Sequence, residues 1–108
     1  MKIIYNSIIP LRPFYAINIF GVVFARKDGG RMSVIVANHE MIHTLQQREM
    51  LFIPFYIWYV AEWLLLMLKY RNIHKAYRHI SFEREAYRME HDLNYRYHRK
   101  HFAWLRKG

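Results

Sequence analysis

Cysteine is absent from this chain of 108 residues. That alone removes disulfides, iron–sulfur clusters, thiolate zinc sites and cysteine nucleophiles from consideration. Acidic side chains are also scarce: eight Asp and Glu face seventeen Lys and Arg, for a formal net charge of +9. Most of the excess lies late. From Lys69 onward eleven basic residues face four acidic ones, which favours an acidic partner there, either anionic lipid or nucleic acid. No internal repeat, linker or low-complexity segment is visible, and the length suits one domain with one core. A site must therefore be built from the same elements that form the core. A secretory leader is not expected, because in "MKIIYNSIIPLRPFYAINIFGVV" Pro10, Arg12 and Pro13 break the apolar run and no small-residue cleavage motif follows.

Ile, Val, Phe and Tyr dominate "KIIYNSII" and "AINIFGVVFAR", which are separated by "PLRPFY" and end at "KDGG". They are expected as two short strands, a small antiparallel β element within residues 1–32, with a turn at Asp28-Gly29-Gly30. Ser33 is placed to cap a helix from Val34 to about Met50, and Pro54 marks its far side. A second, very apolar helix is expected from about Phe55 to Tyr70. A long polar helix should follow from Ser81, another candidate cap, to about residue 100, with a basic, aromatic tail over 101–108. The fold class is α+β: a short β element followed by about three helices.

The segment "LFIPFYIWYVAEWLLLML" is about as long as the shortest bilayer span. Pro54 and Glu62 oppose a simple crossing. Aromatic residues near one end, and Lys69, Arg71 and Lys75 after the other, resemble interfacial anchoring. Three placements are open at this point: in the membrane interface, across the bilayer, or in a soluble core. Glu62 reads as a carboxylate paired with a nearby arginine.

Within the first helix stands His39-Glu40-Met41-Ile42-His43. Positions i and i+4 share a helix face, so the two imidazoles can reach one metal ion, and Glu40 projects beside them where it can take a proton from water. No charge intrudes nearby. The window "VANHEMIHTL" resembles the extended signature of the zincin metallopeptidases. Metzincins take a third ligand ten residues after the first histidine, where Glu49 stands, but Gln46 occupies the position of their helix-ending glycine, so Glu49 falls on another face.

The glutamate-type zincins, or gluzincins, take the third ligand from a second helix, often as a Glu with Ala three residues on. Glu83 with Ala86 fits that pattern, and Glu85 is the alternative. Tyr87 stands where many gluzincins have Asp; a tyrosine there can hydrogen-bond a ligand or a developing oxyanion. The chain also resembles small bacterial His-Glu-x-x-His proteins with a "PFYIWY"-like stretch between the ligand segments. The resemblance covers Val34–Met50 and Ser81–Asp92. It implies a zinc peptidase in which His39, His43 and Glu83 hold Zn2+, Glu40 is the general base, and a peptide or protein is the substrate. The strand "FGVVFAR" would offer its edge to an extended substrate.

A single crossing by residues 51–68 would put His39 and His43 on the opposite side from Glu83. A shared zinc therefore requires that this segment return the chain to the same side, and the expected location is the cytoplasm or the cytoplasmic face of a bacterial membrane. The remaining histidines, His74, His79, His91, His98 and His101, are scattered among arginines and tyrosines and read as solvated, although His79 or His91 is positioned to assist as a donor. The tail "NYRYHRKHFAWLRKG" suits an anionic membrane surface better than nucleic acid, unless Phe102, Trp104 and Leu105 pack back on the core. The rival to the peptidase is a non-enzymatic basic membrane-binding protein in which the His-Glu-x-x-His is coincidental or inactive.

Overall fold

Short runs rich in Ile, Val and Phe form a small sheet first. The structure, a computed structural model, describes residues 2–10 and 14–105. Arg12 and Pro13 of the interrupting segment, and Arg106–Gly108 of the tail, lie outside the described residues. Strands β1 (Lys2–Asn6), β2 (Ala16–Ile19) and β3 (Val22–Arg26) form one sheet in the order β1-β3-β2. The antiparallel expectation holds for only half of it: β2 pairs antiparallel with β3, whereas β1 runs parallel to β3 with Lys2 opposite Val22. The expected second strand is in fact a hairpin. It reverses at Phe20 and Gly21, with φ of 51° and 82°. Two residues at positive φ make the tight primed turn that suits strand twist, and Phe-Gly lacks the Asn-Gly or Asp-Gly signature of that turn. Tyr56 holds it in place, accepting a hydrogen bond from the Phe20 N–H at 2.7 Å while its ring packs on that of Phe20.

Helix α1 (Val34–Glu49) begins as expected, with the Ser33 hydroxyl accepting from the Val36 N–H at 3.1 Å. Its inward face is polar. Asn38, His39, Glu40, His43, Thr44, Gln46 and Gln47 are all buried, so this helix carries chemistry rather than a hydrophobic stripe. The edge strand is bonded to it, Asn18 donating to the Glu40 carbonyl at 2.9 Å and to Thr44 Oγ1 at 2.8 Å.

Leu51 and Phe52 both have positive φ, and the chain turns by 113° into α2 (Ile53–Tyr70). Pro54 does not stand outside this helix but in its first turn, where no intrahelical N–H is required. No single described helix is long and apolar enough to cross a membrane; α1 and α2 would qualify only as a bent pair.

A short helix absent from the sequence reading, α3 (Ile73–His79), follows, capped by Asn72 Oδ1 accepting from the Lys75 N–H at 2.9 Å. Next comes α4 (Ser81–Met89). Ser81 is its first residue rather than its cap: the cap position is Ile80, and the Ser81 N–H and hydroxyl both donate to Glu62 Oε1. The same contacts overturn the arginine pairing expected for Glu62, whose other oxygen accepts from Trp58.

The long C-terminal helix is likewise corrected. It stops at Met89 and resumes only as α5 (Tyr95–His98). The break has a visible cause: the Asn38 amide reaches across from α1 and donates to the Glu90 and Asp92 carbonyls at 2.8 and 3.0 Å. Asp92 then makes a side-chain turn to the Asn94 N–H. Of the three tail residues for which packing on the core was the alternative, Trp104 is buried against Phe82 and Trp58, while Phe102 and Leu105 are exposed. The apolar core joins Phe55, Ile80, Phe82 and Trp104, with a second cluster of Ile42, Ala86 and Tyr95 fixing α4 to α1.

Candidate metal centre

The helical spacing of His39 and His43 and the docking of α4 on α1 bring three ligand atoms together. His39 Nε2 and His43 Nε2 each lie 3.0 Å from Glu83 Oε1 and 3.1 Å from one another. All three residues are buried. Glu40 lies beside them, and His39, Glu40 and His43 offer ligand atoms within 4.8 Å of one another, a group that can hold a metal ion. Glu83 Oε1, 3.0 Å from both imidazole nitrogens, adjoins this group.

Hydrogen bonding alone does not account for the triangle. Each imidazole N–H points in one direction along the ring, so two rings and one oxygen at mutual distances near 3 Å cannot all be linked by linear hydrogen bonds. The outer nitrogens explain what the inner ones offer. Gln46 donates through Nε2 to the Phe82 carbonyl and to Glu85 Oε1, which turns its oxygen toward His43 Nδ1 at 2.8 Å. His43 must therefore carry a proton on Nδ1. His39 Nδ1 faces Glu90 Oε1 at 3.4 Å in the same sense. Both rings are thus set to direct an Nε2 lone pair inward, as metal-binding histidines are by their outer hydrogen bonds. A tetrahedral ion with bonds of about 2.0–2.1 Å spaces its ligand atoms roughly 3.3 Å apart, close to the distances found. The donor set fits a metal ion.

The electrostatics draw positive charge to the cluster, and a proton on His43 Nε2 competes with a metal ion for that position. Burial opposes ionisation of Glu83, but His43 and His39 outweigh it and hold the carboxyl far below the usual carboxylate range. Burial likewise disfavours a charged His43, yet Glu83, Glu40 and Gln46 push its pKa up to about 9. Glu40 is raised, chiefly by burial and only partly offset by His43 and His39. A raised carboxyl is easier to protonate. The second oxygen of Glu83 accepts from the Tyr59 hydroxyl at 2.6 Å. Burial and the neighbouring Glu83 keep that phenol protonated, so it acts as a donor.

Glu85, the alternative third ligand, is committed elsewhere: it accepts from Arg99, Tyr95 and Gln46 and does not reach the histidines. Glu49 sits on another face as expected, held by Arg99, the Phe102 N–H and Trp104. Tyr87 does not hydrogen-bond Glu83; its hydroxyl pairs with that of Tyr77 and its ring lies against His39 at 4.4 Å. His79 bonds the Lys75 carbonyl and packs on Tyr70, and the exposed His91 makes no described contact with the cluster. His98 and His101 pair separately with Asp92 and Glu49. Gln46, Tyr59 and Glu90 escaped the sequence reading. Gln46 lies one turn after His43 and Glu90 two turns after Glu83, so helical spacing carried a signal for both; nothing in the sequence marked Tyr59.

A cavity of about 250 Å³ opens beside the cluster, lined by Glu40, His43 and Glu83 and, among apolar groups, by Ile17, Phe55 and Trp63. Its wall includes Ala16, Ile17 and Asn18 of the edge strand β2. The strand expected to offer an edge, β3, lies in the middle of the sheet with both sides paired, and β2 is an edge strand. Comparison with protein-family models, curated proteins and solved structures finds no match.

Proposed function

We propose that this chain is a zinc-dependent peptidase of minimal size. The observation that carries the reading is the convergence of His39 Nε2, His43 Nε2 and Glu83 Oε1 within 3.1 Å of one another, with outer partners that set both histidine tautomers. Three protein ligands of this kind leave a fourth position open, the arrangement of catalytic rather than structural zinc. Zinc bound there would supply a Lewis acid that polarises a carbonyl and makes water nucleophilic near neutral pH.

The chain's own groups divide the remaining work. Glu40, on the cavity wall, takes the proton from the attacking water and passes it to the departing amine nitrogen, so that water and a peptide bond become a carboxylate and an amine. Tyr59 fixes the Glu83 carboxylate by its second oxygen, and Gln46 and Glu90 fix the rings. An extended peptide lies along β2, adding a strand to the sheet, with an apolar side chain in the pocket lined by Ile17, Phe55 and Trp63.

Metal content by mass spectrometry, on the wild type beside His39→Ala and Glu83→Ala, tests the site. About one zinc per chain, lost in both variants, is expected. Zinc that survives Glu83→Ala and falls only with Glu85→Ala would overturn the ligand set. A peptide-library digest then tests the activity: cleavage by the wild type and none by Glu40→Gln is expected, and equal cleavage by both would remove Glu40 as base.

A further inference from the structure

The second helix keeps very little of itself in the core. Phe55 is its one buried residue, while Ile53, Ile57, Val60, Ala61, Leu64, Leu65 and Leu68 form an exposed stripe. These positions recur at helical spacing along one face for roughly 22 Å. The exposure is extensive: Leu65 is 68% and Leu68 76% accessible, and Leu51, just before the helix, 77%. An unbroken apolar face of this length is more than scattered surface leucines produce, and it requires an occupant.

Charge identifies which one. Residues 51–80 contain a single acid, Glu62, and its carboxylate is engaged by Ser81 and Trp58. Around it the exposed cations Lys69, Arg71 and Lys75 gather where the stripe ends, with Leu68 and Ile73 exposed among them. Lys69 and Lys75 flank one ring, Tyr70, at 5.2 and 4.8 Å. Aromatic and cationic groups bordering an apolar stripe match the depth profile of a lipid headgroup layer. A second copy packed through the same face would bring the same cations, and the one carboxylate of that face, Glu62, is already engaged.

We propose that α2 lies in the surface of an anionic lipid bilayer, its Ile53–Leu68 stripe among the acyl chains and Lys69, Arg71 and Lys75 on the headgroup phosphates. The helix rests in the plane of the interface and does not cross. This inference is independent of the metal site. It has one consequence for it: Val60 belongs both to the stripe and to the cavity wall, so the cavity opens close to the lipid.

The chain lacks cysteine, so Leu65→Cys gives a single attachment point for an environment-sensitive fluorophore. With vesicles containing phosphatidylglycerol, the probe should shift to shorter wavelength and be quenched by lipids brominated on their tails. In co-sedimentation, binding to those vesicles should exceed binding to neutral phosphatidylcholine by roughly a hundredfold, the contribution expected of three interfacial cations. Lys69→Gln, Arg71→Gln and Lys75→Gln combined should remove that preference. Leu65→Glu with Leu68→Glu should lose sedimentation while metal content and circular dichroism stay unchanged. No preference for anionic vesicles, or a probe that stays unquenched, would overturn the proposal. So would a wild-type dimer in solution that Leu65→Glu dissociates, since the stripe would then be covered by a second copy.

Discussion

Two buried carboxylate clusters lie on either side of Gln46, and the contrast between them separates structural from chemical use of the same residue types. In one, Glu49 and Glu85 share Arg99, whose guanidinium makes paired contacts of 3.1 and 3.1 Å to the first and of 2.6 and 3.0 Å to the second. Tyr95, Trp104 and the Phe102 N–H supply further donors. That cluster contains its own cation. In the other, Glu83 and Glu40 meet two imidazoles that present nitrogen atoms to a common point, with no lysine or arginine among the described contacts at Glu83. The first cluster is neutralised by a fixed guanidinium and the second by imidazoles that can give up a proton, which is what leaves the second open to an ion from outside the chain.

The largest effect should come from breaking the first cluster. Arg99→Met leaves two buried carboxylates without a cation and should destabilise the protein by about 3–5 kcal/mol in urea unfolding. A loss near zero would mean that the fork is not what holds the tail. Removing a charge from the second cluster should act differently. Glu40→Gln should lower peptide hydrolysis by about 10²–10⁴-fold with zinc content and unfolding midpoint retained; an unfolding midpoint that drops as it does in Arg99→Met would assign Glu40 a structural role.

A smaller change tests the outer partners. Glu90→Ala frees His39 Nδ1 and should weaken zinc affinity by about 10–100-fold, read by competition with a chelating dye. The smallest is a pH effect. Burial raises the Glu49 carboxyl, but Arg99, the Phe102 N–H and Trp104 outweigh it and leave its pKa below the ordinary value. Folded Glu49 therefore binds its proton less readily than the unfolded chain does. Its contribution is present above about pH 4.3, the unfolded value, and is lost as pH falls through the lower folded value. Glu49→Gln should flatten that part of the acid unfolding curve, and an unchanged curve would show that other carboxylates dominate it.

The sequence revealed what local spacing encodes. The α1 boundaries follow from Ser33 and from the periodicity after it, and Glu83, singled out by a resemblance alone, lies 3.0 Å from His39 once α4 docks on α1. Long-range causes were not legible. The expected 81–100 helix is cut by an amide more than fifty residues away, Asn38, whose side chain takes carbonyls that a continuing helix would have used. Strand order was hidden for a similar reason, since the parallel neighbour of β3 is set by β1 docking from the far end of the β element. Glu62 paired with a serine backbone rather than an arginine because α4 begins where its carboxylate points.

Gln46 touches both clusters, its oxygen on His43 and its nitrogen on Glu85 and Phe82. During synthesis the histidines emerge long before Phe82, Glu85 and Arg99, and until those residues dock the amide has nothing to orient it. The His43 ring gains its fixed hydrogen-bond partner only when the final third of the chain is in place, so a half-made protein carries the motif without the arrangement around it.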